Sequence, residues 1–522
     1  MKKILQHRSF ITATLLIVTL AFILRMYPGK NHIIWNNDDF ARDAYTVREM
    51  VTDHDFLKLV GPRSEVYSFR YHTYLVFTGP LYYYFLAPWY AISDGDPNLP
   101  VTMSILAHMT SMIPLGLLSY KLFKNKVAVL ITLLLFALSY EQIEYSRWLL
   151  NPVFALPFLS WVYYFLWEVL KTKQKAFFLG LWIGMAIQSE IFLGYWVVAV
   201  ILVFVVTKQP LKQWINLVLG GITGVLPLLI SEIKFGFRMT DSLLFDFLLL
   251  PMYTQDRSVV TILNQWSEHW GLVARNTIFG TSIQISGISL LLLIILAVII
   301  YLKNKKERNQ LHFIFVILFA PAIIFITNFV NKAYVDLGVG FSFIFLSTYV
   351  LNYFWKRQKS IVVTFILFTC ISQILLLIKN VEARTPYDGY SFLPTENILF
   401  IDKLEIAETI YSETKSDQFT ISIMDPPYGF PAMWGSVFEQ YSKNNNSQMP
   451  TWYGWYAHGT PGDHIFNVSD HPEKIHVVLR PITSNFDQTA QAIFYQKQDE
   501  LTKPYKVIEK NNYRIEFRKK IQ

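Results

Sequence analysis

The sequence has little of two things that soluble proteins use freely, namely cysteine and charge. Only one of its 522 residues is a cysteine, which excludes an internal disulfide and the class of disulfide-built secreted domains. Charged residues make up 16% of the chain, against about a quarter in ordinary soluble proteins, whereas hydrophobic residues make up 53%. This balance excludes a disordered chain and indicates that a large part of the molecule uses lipid as its solvent.

Nucleotide-binding loops are also missing. The sequence contains no Gly-x-Gly-x-x-Gly or Walker loop, so a nucleotide-sugar donor has no visible binding site. The formal charge of +8 would suit a nucleic-acid partner only if the basic residues gathered on one face. They stand instead in short clusters between long apolar runs, which is the pattern of membrane topology and not of nucleic-acid binding.

Long apolar runs predict the membrane spans, since about 20 helical residues cross a bilayer. Eleven such runs are present, at residues 9–27, 101–120, 127–142, 152–169, 176–188, 191–207, 213–231, 286–302, 312–328, 337–355 and 361–379. The basic start resembles a signal peptide, but no small-residue cleavage site follows it. We therefore expect an uncleaved anchor and a multi-pass protein of the cell membrane.

The basic clusters predict the orientation. They follow every second predicted span, as in Lys121-Lys124-Lys126 and Lys171-Lys173-Lys175, and they also precede the first span. Because positive charge accumulates on the cytoplasmic side, the N-terminus is expected in the cytoplasm. An odd number of spans then leaves the C-terminal part outside.

Two segments need separate treatment. Residues 77–92 are apolar enough to cross, but they are short, rich in Tyr and Trp and interrupted by two prolines. A crossing here would place every later basic cluster outside, so we expect a helix lying along the outer membrane surface. Residues 176–206 lie between two basic loops and are predicted to form a tight pair of short helices, with Gln188-Ser189-Glu190 at the outer tip.

The expected architecture is an all-α polytopic membrane domain followed by a small extracytoplasmic α+β domain. The membrane domain covers residues 1–380 and includes two outer loops, 28–100 and 232–285. The second domain covers residues 381–522. Its strand-like runs are 419–423, 475–479 and 513–517, and residues 397–412 have a helical pattern.

The main candidate site lies where the chain leaves the first span. Asp38 and Asp39 stand there, and Asp39, Arg42 and Asp43 share one face of a predicted helix. A functional interpretation is a general base at the bilayer surface, oriented by an arginine. The alternative is that Asn and Asp here cap the start of a helix.

Short motifs resemble those of a known family. Residues 39–45 read Asp-Phe-Ala-Arg-Asp-Ala-Tyr, residues 79–84 read Gly-Pro-Leu-Tyr-Tyr-Tyr, and Ser146-Arg147-Trp148 and Asn151-Pro152 follow in the next outer loop. In their order and expected outer location, these motifs resemble the GT-C membrane glycosyltransferases. They are similar to glycosyltransferase family 39, which includes protein O-mannosyltransferases and lipid A aminoarabinose transferases. The resemblance covers roughly residues 9–380.

The resemblance implies transfer of a sugar from polyprenyl phosphate to an acceptor on the outer face. The acceptor is left open between a protein, a cell-wall polymer and a glycolipid. Asp39 occupies the position of the catalytic base, although Asp38 competes because relatives often have Asp-Glu here. Arg42 and Asp43 are then expected to hold the acceptor, with Tyr83 as a further substrate-binding candidate. No cofactor is implied, and a divalent metal is not excluded.

The leaving lipid phosphate needs cationic donors. Candidates on the outer side are Arg42, Arg70, Arg147, Arg275 and Lys332, each of which could equally snorkel to lipid headgroups. Arg147 is favoured because Glu141, Glu144 and Asn151 surround it in what is expected to be a short loop. Relatives often have Gln-x-His at the tip where this chain has Gln188-Ser189-Glu190, so Glu190 is either a site residue or a water-facing cap.

The rival class is a polytopic transporter or lipid flippase. Such a protein is expected to show two related halves and ionisable or broken helices at the midplane. The carboxylates of this chain concentrate in the predicted outer loops, and no halved symmetry is visible. A non-catalytic membrane assembly factor is left open by the sequence.

Overall fold

A computed structural model describes residues 2–29, 32–35, 38–62, 76–248, 259–304, 308–323, 337–384, 399–415, 418–425, 432–456, 458–482 and 488–521. The chain divides into two compact units. One comprises Met1–Pro28, Leu57–Tyr82 and Val101–Ala383, and the other comprises Gly29–Phe56, Tyr83–Pro100 and Arg384–Gln522. This division differs from the contiguous one predicted at residue 380, because two segments of the first outer loop group with the C-terminal part.

Helices make up the first unit. They are α1 Lys2–Met26, α4 Asn98–Met109, α5 Met112–Phe123, α6 Lys126–Leu138, α7 Tyr140–Arg147, α8 Asn151–Phe154, α9 Leu156–Thr172, α10 Ala176–Ser189, α11 Tyr195–Val206, α12 Leu211–Gly224, α13 Leu226–Phe235, α14 Arg238–Leu248, α15 Val259–Ala274, α16 Ile283–Lys303, α17 Arg308–Phe319, α18 Val339–Trp355 and α19 Lys359–Glu382. A 3-10 turn, Ile191–Gly194, precedes α11, and a π-helical turn, Arg275–Phe279, follows α15.

The lengths of these helices refine the predicted spans. Five helical stretches of the described residues are long and apolar enough to cross a membrane, and two bent pairs bring the number to seven. Shorter apolar helices occupy four other predicted positions, at 176–189, 191–206, 308–319 and 339–355. The eleven predicted spans therefore correspond to helices, but several are short or broken, and part of 312–328 lies outside the described residues.

Polar side chains mark the breaks. The pair α6–α7 bends by 59° at Ser139, whose hydroxyl accepts a hydrogen bond from Gln142 N at 3.3 Å. Glu190 ends α10, and its Oε1 accepts from Phe192 N at 3.1 Å. This hydrogen bond satisfies a backbone donor that the broken helix would otherwise leave unpaired. The break lies where the sequence predicts the tip of the helix pair.

Glycines allow α10 and α12 to pack closely. Gly180 and Gly184 face Gly220 and Gly224, and a Cβ added at Gly184 would lie 2.7 Å from the Cα of Gly224. Two sequences of the form Gly-x-x-x-Gly thus meet, as in many membrane helix pairs. Near the tip of the pair, Gln188 Nε2 donates to the backbone oxygen of Gly224, the last residue of α12.

The second unit contains α2 Asp38–Thr52, α3 Leu81–Ser93 from Tyr83 onward, α20 Phe400–Thr414, α21 Ala432–Asn445 and α22 Gln488–Leu501. A six-stranded sheet has the order β3-β2-β1-β4-β6-β5. Its strands are β1 Thr420–Ile423, β2 Thr451–Tyr453, β3 Val468–Ser469, β4 Ile475–Pro481, β5 Thr502–Lys510 and β6 Tyr513–Lys520.

The sheet is mixed, with four parallel strands and an antiparallel edge. Strand β1 pairs in parallel with β2 and β4, whereas β6 pairs antiparallel with β4 and β5. Every residue of β1 is buried, as expected for a central strand covered on both faces. The predicted α+β class and the three predicted strands are confirmed.

Candidate functional site

The acidic motif of the first loop forms the start of α2. In this helix Arg42 Nη1 lies 2.5 Å from Asp39 Oδ1, and Arg42 Nη2 lies 3.2 Å from Asp43 Oδ1. The predicted shared face is thus present. One guanidinium binds both carboxylates, which leaves Asp39 about one-fifth exposed and Asp43 almost fully buried, at 19% and 1%.

Asp43 is held from two directions within this unit. Besides Arg42, the hydroxyl of Tyr83 donates to Asp43 Oδ1 at 3.1 Å. The second oxygen, Oδ2, is buried and has no hydrogen-bond partner among the described residues. Burial raises the pKa of Asp43 to about 7, against the opposing effect of Arg42. Tyr83, predicted to bind substrate, therefore contacts the carboxylate that supports Arg42.

The choice between the two adjacent aspartates stays open. Asp38 is the first residue of α2. Its side chain, like Asn36 and Asn37, lies outside the described residues, and so does the capping alternative that depends on them. Of the two carboxylates, that of Asp39 has a described geometry.

The opposite face of α2 carries a second set of contacts that sequence reasoning missed. Arg48 and Tyr45 both bind the carboxylate of Glu439, which lies almost four hundred positions later in the chain. A charged residue such as Arg48 or Glu439, taken alone in its helix, is normally exposed to solvent. Because the two residues are far apart in the sequence, nothing in it indicated that they pair.

In the first unit, Arg147 lies in a buried polar region. It ends α7, is 4% exposed, and donates through Nη1 to the backbone oxygen of Arg25 at 2.7 Å. The short loop expected around it is instead the helix Tyr140–Arg147. Of the two predicted carboxylate neighbours, Glu144 interacts electrostatically with Arg147, whereas Glu141 accepts from Gln142 and from Thr277, at 2.8 and 3.0 Å.

Arg25 was not singled out by the sequence as a site residue. It is fully buried in α1, and its guanidinium donates to the carbonyls of Phe136 and Ala137 at the end of α6, at 3.4 and 3.5 Å. A cation at a helix C-terminus is favoured by the helix dipole and by unpaired carbonyls. Arg25 thereby supports the bend at which the helix of Arg147 begins.

Three motif segments meet elsewhere in this unit. Asn151 Nδ2 donates to Ser189 O at 2.7 Å, and Gly79 N donates to Gln188 O at 2.6 Å. A Cβ at Gly79 would lie 2.6 Å from that of Gln188, so only glycine fits this approach. Glu190 caps the following 3-10 turn, but at 4% exposure it is a buried cap and not the water-facing one of the sequence alternative.

Arg275 begins the π-helical turn and is half-buried. Its backbone oxygen accepts from Gln373 Nε2 at 2.7 Å, while Gln373 Oε1 accepts from Tyr140 N at 3.0 Å. Such π-turns recur at functional sites. Arg70 and Lys332, the other predicted cations, lie outside the described residues.

A metal site would need several ligating side chains close together. Within the described part of the chain, no three His, Cys, Asp or Glu side chains gather closely enough to hold a metal ion. The described carboxylates at the start of α2 are instead paired with Arg42.

Comparison with known proteins places this fold. The family described as dolichyl-phosphate-mannose-protein mannosyltransferase matches residues 78–232. The crystal structure of ArnT from Cupriavidus metallidurans bound to undecaprenyl phosphate superimposes with a TM-score of 0.57 at 9% identity, over 96% of this chain and 97% of that one. At this identity the likeness shows the fold, and the family match covers less than a third of the chain. The protein is a multi-pass membrane protein with the ArnT-like combination of a helical membrane part and a small sheet domain.

A second solved structure resembles this chain more loosely. It is the oligosaccharyltransferase of Archaeoglobus fulgidus in the apo form, with a TM-score of 0.44 at 13% identity, over 82% of this chain and 63% of that one. Among curated proteins, no sequence matches the chain.

Proposed function

We propose that this chain is a GT-C membrane glycosyltransferase, which transfers a sugar from a polyprenyl-phosphate carrier to a hydroxyl-bearing acceptor on the extracytoplasmic face, with Asp39 as the general base. The observation that carries the proposal is the pairing of a partly exposed Asp39 carboxylate with Arg42 at the start of α2. The ArnT fold, recorded with undecaprenyl phosphate, and the mannosyltransferase family match support a lipid-phosphate donor.

The bond changes define the roles. The acceptor oxygen attacks the anomeric carbon, its proton passes to the Asp39 carboxylate, and the bond from that carbon to the phosphate oxygen breaks with its electron pair. The product is the inverted glycoside plus polyprenyl phosphate. The developing negative charge on the phosphate requires a cation, for which we propose Arg147 with a partner, either Arg275 or Lys332.

Burial refines the role of Asp43. A side chain that is 1% exposed and bonded to Arg42 and Tyr83 has no surface for an acceptor. We assign it the task of holding Arg42 against Asp39, and we keep Arg42 as the group that orients the base and the acceptor. Asn151 and Glu190 are proposed to shape the substrate region through the backbone they cap.

The test uses the purified full-length protein with a panel of radiolabelled polyprenyl-phosphate sugars and cell-envelope membranes as the acceptor source. Release of polyprenyl phosphate and labelling of the membranes are measured together. Asp39→Asn should lower the transfer rate by about 10²- to 10⁴-fold, as for loss of a general base. Asp53→Asn is the control, because Asp53 is exposed just after α2.

Near-normal transfer by Asp39→Asn, with loss of transfer in Asp38→Asn, would assign the base to Asp38. Failure of every donor would reject the transferase itself.

A further inference from the structure

The side of α2 opposite Asp39 is anchored by charge. Successive helical residues are about 100° apart, so Arg48 points about 180° away from Asp39. Arg48 binds Glu439 of α21 with both terminal nitrogens, Nη2 to Oε1 at 2.8 Å and Nη1 to Oε2 at 2.9 Å. Bidentate pairing of this kind fixes direction as well as distance.

Further groups complete this cluster, which we call the Glu439 cluster. Tyr45 donates to Glu439 Oε2 at 2.7 Å, and Lys443 Nζ lies 3.0 Å from Oε1. Lys443 also binds Asp94 Oδ2 at 2.8 Å, and Arg48 packs against the turn at Gly95, where a Cβ would lie 2.8 Å from Nη1. Burial would raise the pKa of Glu439, but its hydrogen bonds from Arg48 and Tyr45 outweigh this and lower it to about 2. The carboxylate therefore stays charged at any working pH.

Helix α21 also holds the chain just before α2. The indole of Trp35 donates to Ser436 Oγ at 3.0 Å, and Glu49 Oε1 accepts from Gly462 N at 2.9 Å. The described contacts of the Glu439 cluster join α2 to α21 and to the turn at Asp94, so its influence on Asp39 and Arg42 passes through helix α2.

We propose that Glu439 is a positioning residue: through Arg48 and Tyr45 it sets the rotation of α2, and thereby the direction in which Asp39 and Arg42 face the substrate. This inference rests on the proposed function of α2. It makes the C-terminal α+β part a component of the catalytic apparatus rather than an appendage.

The test separates positioning from folding and binding. Glu439→Gln keeps the size of the side chain but removes its charge and replaces one of the two oxygens that accept from Arg48 and Tyr45 with an NH2 donor. A misplacement of about 1 Å typically costs about 10²-fold in rate. We expect kcat to fall roughly ten- to a hundred-fold, with KM for the lipid donor changed less than about three-fold. Glu405→Gln is the matched control. It removes an ion pair with Arg384 in the same unit, far along the chain from α2, and should leave kcat unchanged.

A double-mutant cycle supplies the decisive comparison. Arg48→Gln combined with Glu439→Gln should be no slower than either single variant, because both remove the same link. Additive losses, or a normal kcat in Glu439→Gln, would overturn the positioning role. If the wild-type protein transfers sugar and Asp39→Asn does not, such a result leaves the proposed function intact. The melting temperatures of Glu439→Gln and Glu405→Gln are measured as well. If both variants lose the same thermal stability but only Glu439→Gln loses kcat, the positioning role is supported.

Discussion

At the residue scale, the site depends on how one guanidinium is shared between two carboxylates. Arg42 binds Asp39, which is partly exposed, and Asp43, which is buried. Two carboxylates in different environments are a common way to separate roles, since burial disfavours the charged form of only one. The exposed member suits proton transfer, and the buried member suits support.

This arrangement predicts a pH dependence. Burial raises the pKa of Asp43 to about 7. As the pH falls below that value, Asp43 should lose its charge and with it the ion pair to Arg42. The transfer rate should therefore rise between about pH 6 and 8, and Asp43→Asn should be slower and lack this rise. In Tyr83→Phe the rise should move to higher pH, because the Tyr83 hydrogen bond stabilises the charged carboxylate. A rise that persists in Asp43→Asn would show that another group titrates.

At the element scale, the close packing of α10 and α12 offers a test that needs no substrate. A Cβ at Gly220 would strike the backbone oxygen of Phe177, whereas at Gly221 the nearest atom is 4.0 Å away. Gly220→Ala should destabilise the protein by about 1–3 kcal/mol, the usual cost of overpacking. Gly221→Ala, one residue along the same helix, should be neutral or slightly stabilising. Thermal unfolding in detergent measures both, and equal melting temperatures would contradict the close contact between Gly220 and Phe177.

Elements with strong local patterns could be predicted from the sequence, and those fixed by distant contacts could not. The β-branched residues of β1 and β4 and the apolar–polar alternation of β6 signalled strands. Strand β2 has only three residues and depends on pairing with β1. The helix at 140–147 was expected as a loop because its capping serine stands inside an apolar run. In the candidate site, spacing alone placed Asp39, Arg42 and Asp43 together, but the Glu439 cluster needed the tertiary fold.

At the scale of the whole molecule, a cluster of ion pairs joins three helix ends that are all predicted to face the cytoplasm. Glu168 is 4% exposed and binds Lys121 at 3.0 Å and Lys175 at 2.9 Å. These residues come from the ends of α5 and α9 and the residue before α10, which the basic pattern assigns to the cytoplasm. Their meeting is the arrangement expected if the three ends share one side of the bilayer.

The orientation itself can be tested at α3. This helix has 13 residues, which extend about 20 Å and fall short of a hydrocarbon core of about 30 Å, and it contains Pro88. Other predicted spans are equally short, so the charge pattern decides, and with Pro88 it favours a helix that does not cross. A topology reporter fused after Pro100 should then be extracytoplasmic and one fused after Lys126 cytoplasmic. A third fusion after Glu382 should be extracytoplasmic. If the first two reporters read the opposite way, α3 crosses the membrane, and the basic clusters after it would lie outside, against the charge pattern of the chain.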